Sequence, residues 1–219
     1  MADGPARAEP VSDPAAARRP RDRAPPGPPR LILASASPRR LALLRQIGLD
    51  PEVRVADVDE TPRAGETPMA LVRRLARAKA EALGPPDAGA LILAADTVVD
   101  LDGRTLGKPP GREAGIAMLL ALGGREHRVV TGLCLRRPLG GRVATRTLAV
   151  TTRVRFGRVG PGAAARYWDG GEPRDKAGGY AIQGQGARFV AGIVGSYSNV
   201  VGLPLHETAR LLAAAGLDA

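Results

Sequence analysis

The segment that most constrains the fold is the run ALILAADTVV at residues 90–99. All of its residues are apolar except Asp96 and Thr97. It is too short for the roughly 20 apolar residues that span a bilayer, and it precedes a turn signal, Asp102-Gly103. Short apolar runs of this kind are typical of buried strands. We therefore predict a buried strand at residues 90–99.

Strand-like and helix-like segments alternate along the chain. Alternation of this kind predicts an α/β domain, and the long hairpin at 126–136 and 142–155 predicts a mixed sheet. Cap residues, glycines and prolines bound the predicted helices. The other predicted strands are 31–34, 53–56 and 187–194, and the predicted helices are 38–47, 67–83, 113–122, 161–168 and 204–215.

The first 29 residues differ in composition from the rest. They contain eight prolines and many Ala and Arg residues, which predicts a disordered tail at 1–29 and a single domain at 31–217. The tail lacks the apolar core of a secretory signal. The single cysteine, Cys134, excludes an intrachain disulfide and fits a reducing compartment.

The chain carries a formal net charge of +10, which first suggests a nucleic-acid partner. The arginines are scattered, however, and aromatic residues, which stack on single strands, make up only 3%. We therefore expect no specific nucleic acid and favour a small polyanionic substrate. Only three basic residues are lysines, Lys79, Lys108 and Lys176, and a lysine ammonium is a compact phosphate ligand.

Residues 33–40, LASASPRR, predict a strand, a small-residue loop and a helix start. A helix N-terminus presents free N–H groups to an anion. Ser35 adds a hydroxyl donor, and Arg39 and Arg40 add charge where the helix dipole disfavours cations. The segment is either an anion-binding site or a capped helix with two solvated arginines.

Carboxylates occur at two positions that suit a metal. Asp96 lies inside the apolar strand, where an acidic residue needs a partner, a metal or a raised pKa. Glu60 belongs to the acidic segment 57–60, DVDE. Mg²⁺ prefers one or two carboxylates together with phosphate oxygens. Otherwise Asp96 bonds nearby backbone and 57–60 is an acidic surface loop.

Two further segments carry polar groups between predicted elements. Lys108 follows a glycine in LGKP, and Lys79 lies on an amphipathic helix; either lysine alone also fits an ordinary surface position. The Gly-rich stretch 172–184 contains Gln183, whose amide can read a base edge, or it is a plain loop. Residues 195–204 predict a polar turn before the last helix.

Taken together, these segments resemble the Maf family of nucleotide pyrophosphatases. The order and spacing of the motifs fit over residues 31–217. The matching segments are 33–40 (LASASPRR), 59–61 (DET), Lys79 in LARAKA, 95–99 (ADTVV), 106–109 (LGKP), 172–184 (EPRDKAGGYAIQG) and 195–205 (GSYSNVVGLPL).

The resemblance implies two lobes around a deep cleft, as in inosine triphosphate pyrophosphatases, and a cytoplasmic enzyme that needs a divalent metal, Mg²⁺ or Mn²⁺. It implies that Asp96 is the proton acceptor. It also implies that Arg39, Thr97 and Gln183 select the base, in the subfamily that prefers dTTP and UTP. Glu60 and Asp96 are then the expected metal ligands.

The remaining assignments complete a hypothesis for the reaction. Ser35, Arg40, Lys79 and Lys108 are expected to bind the phosphates of a nucleoside triphosphate. Two rival interpretations stay open: the same chemistry on deaminated purine triphosphates or 7-methyl-GTP, and a nucleotide- or nucleic-acid-binding cell-division regulator without turnover. The sequence predicts no membrane partner and leaves a homodimer open.

Overall fold

The computed structural model describes Met1, residues 29–55 and residues 57–218. The predicted disordered tail, 1–29, falls outside the described residues except at its two ends. It remains a prediction.

Seven strands of the described residues form one mixed sheet in the order β2-β1-β3-β5-β6-β7, with β4 paired to β3. β1 is parallel to both of its neighbours, and the other pairings are antiparallel. This confirms the predicted mixed α/β class. The strands are β1 (Arg30–Leu33), β2 (Glu52–Val53), β3 (Ala90–Leu101), β4 (Arg104–Leu106), β5 (Glu126–Leu139), β6 (Arg142–Phe156) and β7 (Val190–Val194).

Helices cover both faces of the sheet around β3, whose residues are buried except for the half-buried Thr97. Alternate residues of β1 and β3 point to opposite faces. The helices are α1 (Pro38–Gln46), α2 (Pro68–Ala82), α3 (Arg112–Leu122), α4 (Pro161–Asp169), α5 (Tyr197–Val201) and α6 (Leu205–Ala213). Leu91 and Leu93 pack with α1 and α6, while Ile92 and Ala94 pack with α2.

Local signals located most of the element ends. Thr67 caps α2, since its hydroxyl accepts a hydrogen bond of 3.2 Å from the Ala70 N–H. The turn between β3 and β4 has positive φ at both Asp102 and Gly103, as a two-residue hairpin turn requires.

Several predicted boundaries were wrong. The β5–β6 turn is confined to Gly140-Gly141, and Pro138 belongs to β5. Pairing of β5 with β3 ends at Arg136, before Pro138. Because β3 does not pair with Pro138 in the described sheet, the missing N–H of this proline costs no hydrogen bond to β3.

The sequence also predicted the wrong structure for the polar segments before and after β7. Residues Gln185–Phe189 form a 3₁₀ turn, so β7 starts at Val190 instead of residue 187. Tyr197–Val201 is a helix, capped by the Ser196 hydroxyl, where the sequence predicted a turn. The second strand ends at Val53 instead of residue 56.

Two hydrophobic clusters lie at opposite ends of one face of the sheet, because β3 contributes residues of the same alternation to both, Leu91 and Leu93 to one and Val99 and Leu101 to the other. One joins β1 and β3 to α1 and α6, and the other joins β4, β5 and β6 to α3, α4 and the Gly-rich segment. Cys134 is buried in a third cluster with α2. Within the described ranges, no helix has the length and apolarity needed to cross a membrane.

Candidate functional site

The candidate site lies along an open edge of β3. Pairing of β3 with β1 ends at Leu93, and pairing with β4 begins at Val99. A pocket of about 590 Å³ lies along the stretch between these positions and includes Asp96, Thr97 and Val98 in its wall. Because alternate side chains of a strand point to opposite faces, the open edge gives one pocket access to residues from both faces.

Lys79 joins the two predicted metal-binding carboxylates. Its Nζ atom lies 2.5 Å from Oδ1 of Asp96 and 2.6 Å from Oε1 of Glu60. The side chains of Lys79 and Asp96 are 11% and 10% exposed, whereas that of Glu60 is 49% exposed. The Asp96 carboxylate in the apolar strand therefore has its required partner, and that partner comes from α2.

The position of α2 depends on close packing against β5. Gly132 of β5 is paired with Asp96 of β3, and a Cβ atom at Gly132 would lie 2.3 Å from the Val72 carbonyl oxygen of α2. Only a residue without a side chain permits this approach. Gly132 thus sets the distance between the helix that carries Lys79 and the strand that carries Asp96.

The charges around Glu60 favour its ionised form. Burial alone would raise the pKa of Glu60, but the hydrogen bond from Lys79 and the charges of Lys79, Lys108 and Arg40 together lower it. Glu60 is therefore held as a carboxylate beside a second carboxylate, Asp96. Two hard oxygen ligands of this kind suit a divalent cation that completes its coordination with phosphate oxygens and water.

In residues 29–55 and 57–218, no three His, Cys, Asp or Glu side chains group together as a metal site. Glu60 and Asp96 fit Mg²⁺ or Mn²⁺ only if the substrate supplies further oxygens, which is typical of magnesium–nucleotide sites.

Arg40 lies on the opposite face of the sheet from Lys79, and three hydrogen-bond acceptors hold its guanidinium. Nε donates to the Gly202 carbonyl at 2.9 Å. The two terminal nitrogens donate to Oγ of Ser35 at 3.0 Å and to Oγ1 of Thr97 at 3.1 Å. These bonds fix the first turn of α1 against β3 and α5.

The pKa of Arg40 is lowered from its ordinary value mainly because the guanidinium is buried. The charge of Asp96 opposes this change, and the charge of Arg39 reinforces it. The wall of the pocket therefore contains positive charge that its surroundings do not fully compensate. An anionic ligand would relieve this cost.

The remaining predicted residues come from loops around the pocket. Arg39 lies 3.9 Å from the Asp175 carboxylate, which also pairs with Lys176. The sequence had suggested a pair between Lys176 and Asp175 that shapes the Gln183 loop, and the structure contains that pair. Lys108 and Gln183 line the pocket from the segments after β4 and before β7.

All the residues singled out from the sequence line this one pocket, although the structure does not test the role of each. They are Ser35, Arg39, Arg40, Glu60, Lys79, Asp96, Thr97, Lys108 and Gln183.

The sequence motifs did not predict a buried hydrogen-bond network that lies beside the pocket. Thr131 and Asn199 are fully buried, and Thr131 lies 3.0 Å from the Thr97 hydroxyl. The Asn199 amide donates to the Val129 carbonyl at 3.1 Å and to the Thr152 hydroxyl at 3.0 Å. The presence of a single asparagine in the chain was the only signal. Nothing in the local sequence indicates its partners.

The loop that carries Gln183 is anchored by Glu172. The Glu172 carboxylate accepts hydrogen bonds from the Tyr167 hydroxyl at 2.6 Å and from the N–H groups of Gln185 and Gly186 at 2.8 and 3.1 Å. Burial alone would raise the pKa of Glu172, but these bonds lower it. Gln183, the base-reading candidate, thus lies next to a segment that is held by several hydrogen bonds to Glu172.

Comparison with known proteins identifies the family. The family model described as "Maf-like protein" matches residues 30–215. The chain belongs to the Maf family. This confirms the resemblance inferred from the sequence motifs.

Similar Maf proteins carry one common name. The proteins named "dTTP/UTP pyrophosphatase" from Anaeromyxobacter sp. (strain Fw109-5) and Myxococcus xanthus (strain DK1622) are each 53% identical to this chain, over 188 and 187 residues. These alignments cover 85% of this chain and 90% and 93% of the two relatives. A protein of the same name from Rhodopseudomonas palustris (strain ATCC BAA-98 / CGA009) is 51% identical, over 87% of this chain and 94% of its own length.

Among solved structures, a HAM1 protein from Coxiella burnetii aligns with a TM-score of 0.39 and 20% sequence identity. The alignment covers 59% of this Maf chain and 74% of the other.

Proposed function

We propose that this Maf protein hydrolyses nucleoside triphosphates, preferably dTTP and UTP, to the monophosphate and pyrophosphate. The observation that carries the proposal is that Lys79 holds the Asp96 and Glu60 carboxylates together in a pocket that other cationic residues also line. Carboxylates can activate water and ligate a divalent metal, and the neighbouring cationic side chains can bind the triphosphate. The names of the relatives support the choice of dTTP and UTP.

In the proposed reaction, Asp96 orients and deprotonates the attacking water. A general base has to lie within hydrogen-bond distance of the proton that it removes, and Asp96 lies in the wall of the pocket. The water attacks the α-phosphorus and pyrophosphate leaves. Glu60 and Asp96 would hold a divalent cation, Mg²⁺ or Mn²⁺, which when bound offsets phosphate charge.

The cations of the pocket are assigned to the phosphates. Lys79, Lys108 and Arg40 bind phosphate oxygens and stabilise the charge that develops on the leaving pyrophosphate. Ser35 and the N-terminus of the nine-residue α1 hold another oxygen, since the first N–H groups of a helix have no partners within the helix. Arg39, Thr97 and Gln183 contact the base.

Product analysis tests this proposal directly. The protein would be incubated with Mg²⁺ and, separately, dTTP, UTP, CTP, ITP, GTP and 7-methyl-GTP, and pyrophosphate would be measured against orthophosphate. We expect pyrophosphate release that is fastest with dTTP and UTP. Release led by a purine would keep the chemistry and refute the assignment of the base-reading residues.

A folded protein that releases pyrophosphate from none of these substrates would refute the enzymatic function. Salt-sensitive DNA binding by such a protein would then favour the rival interpretation, a nucleic-acid-binding cell-division regulator without turnover. A cytoplasmic location remains a prediction.

A further inference from the structure

Thr131 lies directly behind a base-reading candidate without lining the pocket itself. It is the cross-strand partner of Thr97 in the β3–β5 pairing, and the two hydroxyl oxygens are 3.0 Å apart. Thr131 is 0% exposed, whereas Thr97 is half-buried and lines the pocket. Any effect of Thr131 on a ligand must therefore pass through Thr97.

The partners of these hydroxyl groups determine which atom donates. Thr131 has one hydroxyl hydrogen, and it donates to the Asn199 carbonyl oxygen at 3.1 Å. The Thr131 oxygen is therefore free to accept, and the Thr97 hydroxyl donates to it. Arg40 can only donate, so its 3.1 Å contact with Thr97 uses a lone pair of the Thr97 oxygen.

The direction of the Thr97 hydrogen does not depend on which acceptor it uses. The other acceptor near the Thr97 hydroxyl is the Gly202 carbonyl oxygen at 3.5 Å, which also belongs to the protein. With either acceptor the hydrogen is held inside the protein. Since Arg40 occupies one lone pair of the Thr97 oxygen, the other lone pair is the only group that this hydroxyl can offer to a ligand.

We propose that Thr131 is a positioning residue that fixes Thr97 as a hydrogen-bond acceptor, so that the pocket selects bases with a ring N–H over cytosine. The ring nitrogen N3 carries a hydrogen in uracil and thymine, but in cytosine it carries a lone pair. A lone pair facing the fixed acceptor on Thr97 leaves both groups unsatisfied, which is costly in a desolvated pocket. The Gln183 amide has both a donor and an acceptor, so by itself it does not make this distinction.

This inference rests on the proposed function and is tested by a ratio of rates. The value of kcat/KM would be measured for UTP and CTP in the wild type and in Thr131→Val, which has nearly the same shape without the hydroxyl. In the variant the Thr97 hydroxyl loses its 3.0 Å acceptor and keeps only the long 3.5 Å contact with the Gly202 carbonyl, so cytosine N3 can compete for its hydrogen. We expect the UTP-to-CTP preference to fall by roughly tenfold. Thr131→Ser, which keeps the hydroxyl, should retain the wild-type ratio.

Thr152→Val is the matched control. Thr152 is also a fully buried threonine, and its hydroxyl bonds the same segment through Ser196 and Asn199. It makes no hydrogen bond to Thr97. Thr152→Val should therefore lower stability without changing the UTP-to-CTP ratio.

The outcomes separate this inference from the proposed function. An unchanged ratio in folded Thr131→Val, or an equal change in Thr152→Val, would overturn the inference while pyrophosphate release from UTP continued. No pyrophosphate release in the wild type would instead overturn the proposed function. If Thr131→Val does not fold, calorimetry on the wild type compares binding of UMP and CMP. Equal affinities would overturn the inference, and tighter UMP binding would support it.

Discussion

Lys79 donates a hydrogen bond of 2.5 Å to Asp96, and this buried charge pair links α2 to the central strand β3 at the open edge of the sheet. An aspartate inside an apolar strand would be costly without such a partner. Glu60 shares the same ammonium at 2.6 Å. A metal–triphosphate would have to share these carboxylates with Lys79, which is therefore placed to move from carboxylate to phosphate.

Asp96→Asn should lower kcat for UTP by about 10²-fold or more, because the amide is a poor base and a weaker metal ligand. Pyrophosphate release under saturating Mg²⁺ and UTP measures the effect. Asp100→Asn is a suitable control because Asp100 is a buried carboxylate on the same strand that pairs with Arg128. The control should keep wild-type kcat in its folded fraction. Near-normal turnover in Asp96→Asn would contradict the role of Asp96.

Lys79→Met should lower the free energy of unfolding by about 3 kcal/mol, because it leaves two carboxylates without their shared cation. Mg²⁺ should then stabilise the variant more than the wild type, since the cation can replace the ammonium between Asp96 and Glu60. Thermal unfolding with and without Mg²⁺ measures both effects.

Arg77→Met is the control for Lys79→Met. Arg77 is on the exposed side of α2 and pairs with Glu81, so its loss should cost much less stability than the loss of Lys79. If Mg²⁺ stabilised Lys79→Met no more than the wild type, the two carboxylates would not form the cation site.

Gly132→Ala should displace α2 and weaken both stability and catalysis. The added methyl would meet the Val72 carbonyl, which is backbone and cannot rotate away. Overpacking of this kind costs about 1–3 kcal/mol, and the shift should separate Lys79 from Asp96. Urea unfolding and kcat would be measured together. Gly157→Ala is the control, since a Cβ there meets nothing closer than 3.9 Å. Equal losses in both variants would show that the α2 contact is not critical.

His127 should make the protein less stable in mild acid. Burial lowers the pKa of His127 from 6.5 to about 4, so the folded protein keeps the ring neutral. Because the unfolded chain binds the proton more readily, stability is complete above pH 6.5 and is lost as the pH falls toward 4. The expected loss is about 3 kcal/mol.

Urea unfolding at pH 7, 5.5 and 4 measures this effect in the wild type and in His127→Gln. The variant should show a smaller loss of stability over this range, because it lacks the titrating ring while its amide can still bond the Tyr180 hydroxyl that contacts His127. An equal pH dependence in both proteins would contradict the role of His127.

Local chemistry explains which parts of the fold were predictable. Thr67 and Asp102-Gly103 act on their immediate neighbours, so their cap and turn could be predicted from the sequence. The site residues could be predicted because their motifs resemble those of the Maf family, to which the chain belongs. Arg40 and Thr131 each have a partner far away in the sequence, at Gly202 and Asn199 respectively. Such contacts depend on strand pairing and helix packing, which local patterns do not specify.

The open edge of β3 divides structural and functional constraints between the two sides of one strand. On the closed side, β5 pairs with β3 in an unbroken register from Ile92 to Asp100. On the open side, Asp96 and Thr97 line a pocket whose other walls come mostly from segments outside the sheet. Substitutions and insertions in those segments can change the ligand without disturbing the register that holds Asp96. New substrate preferences can therefore evolve in this architecture at little cost to folding.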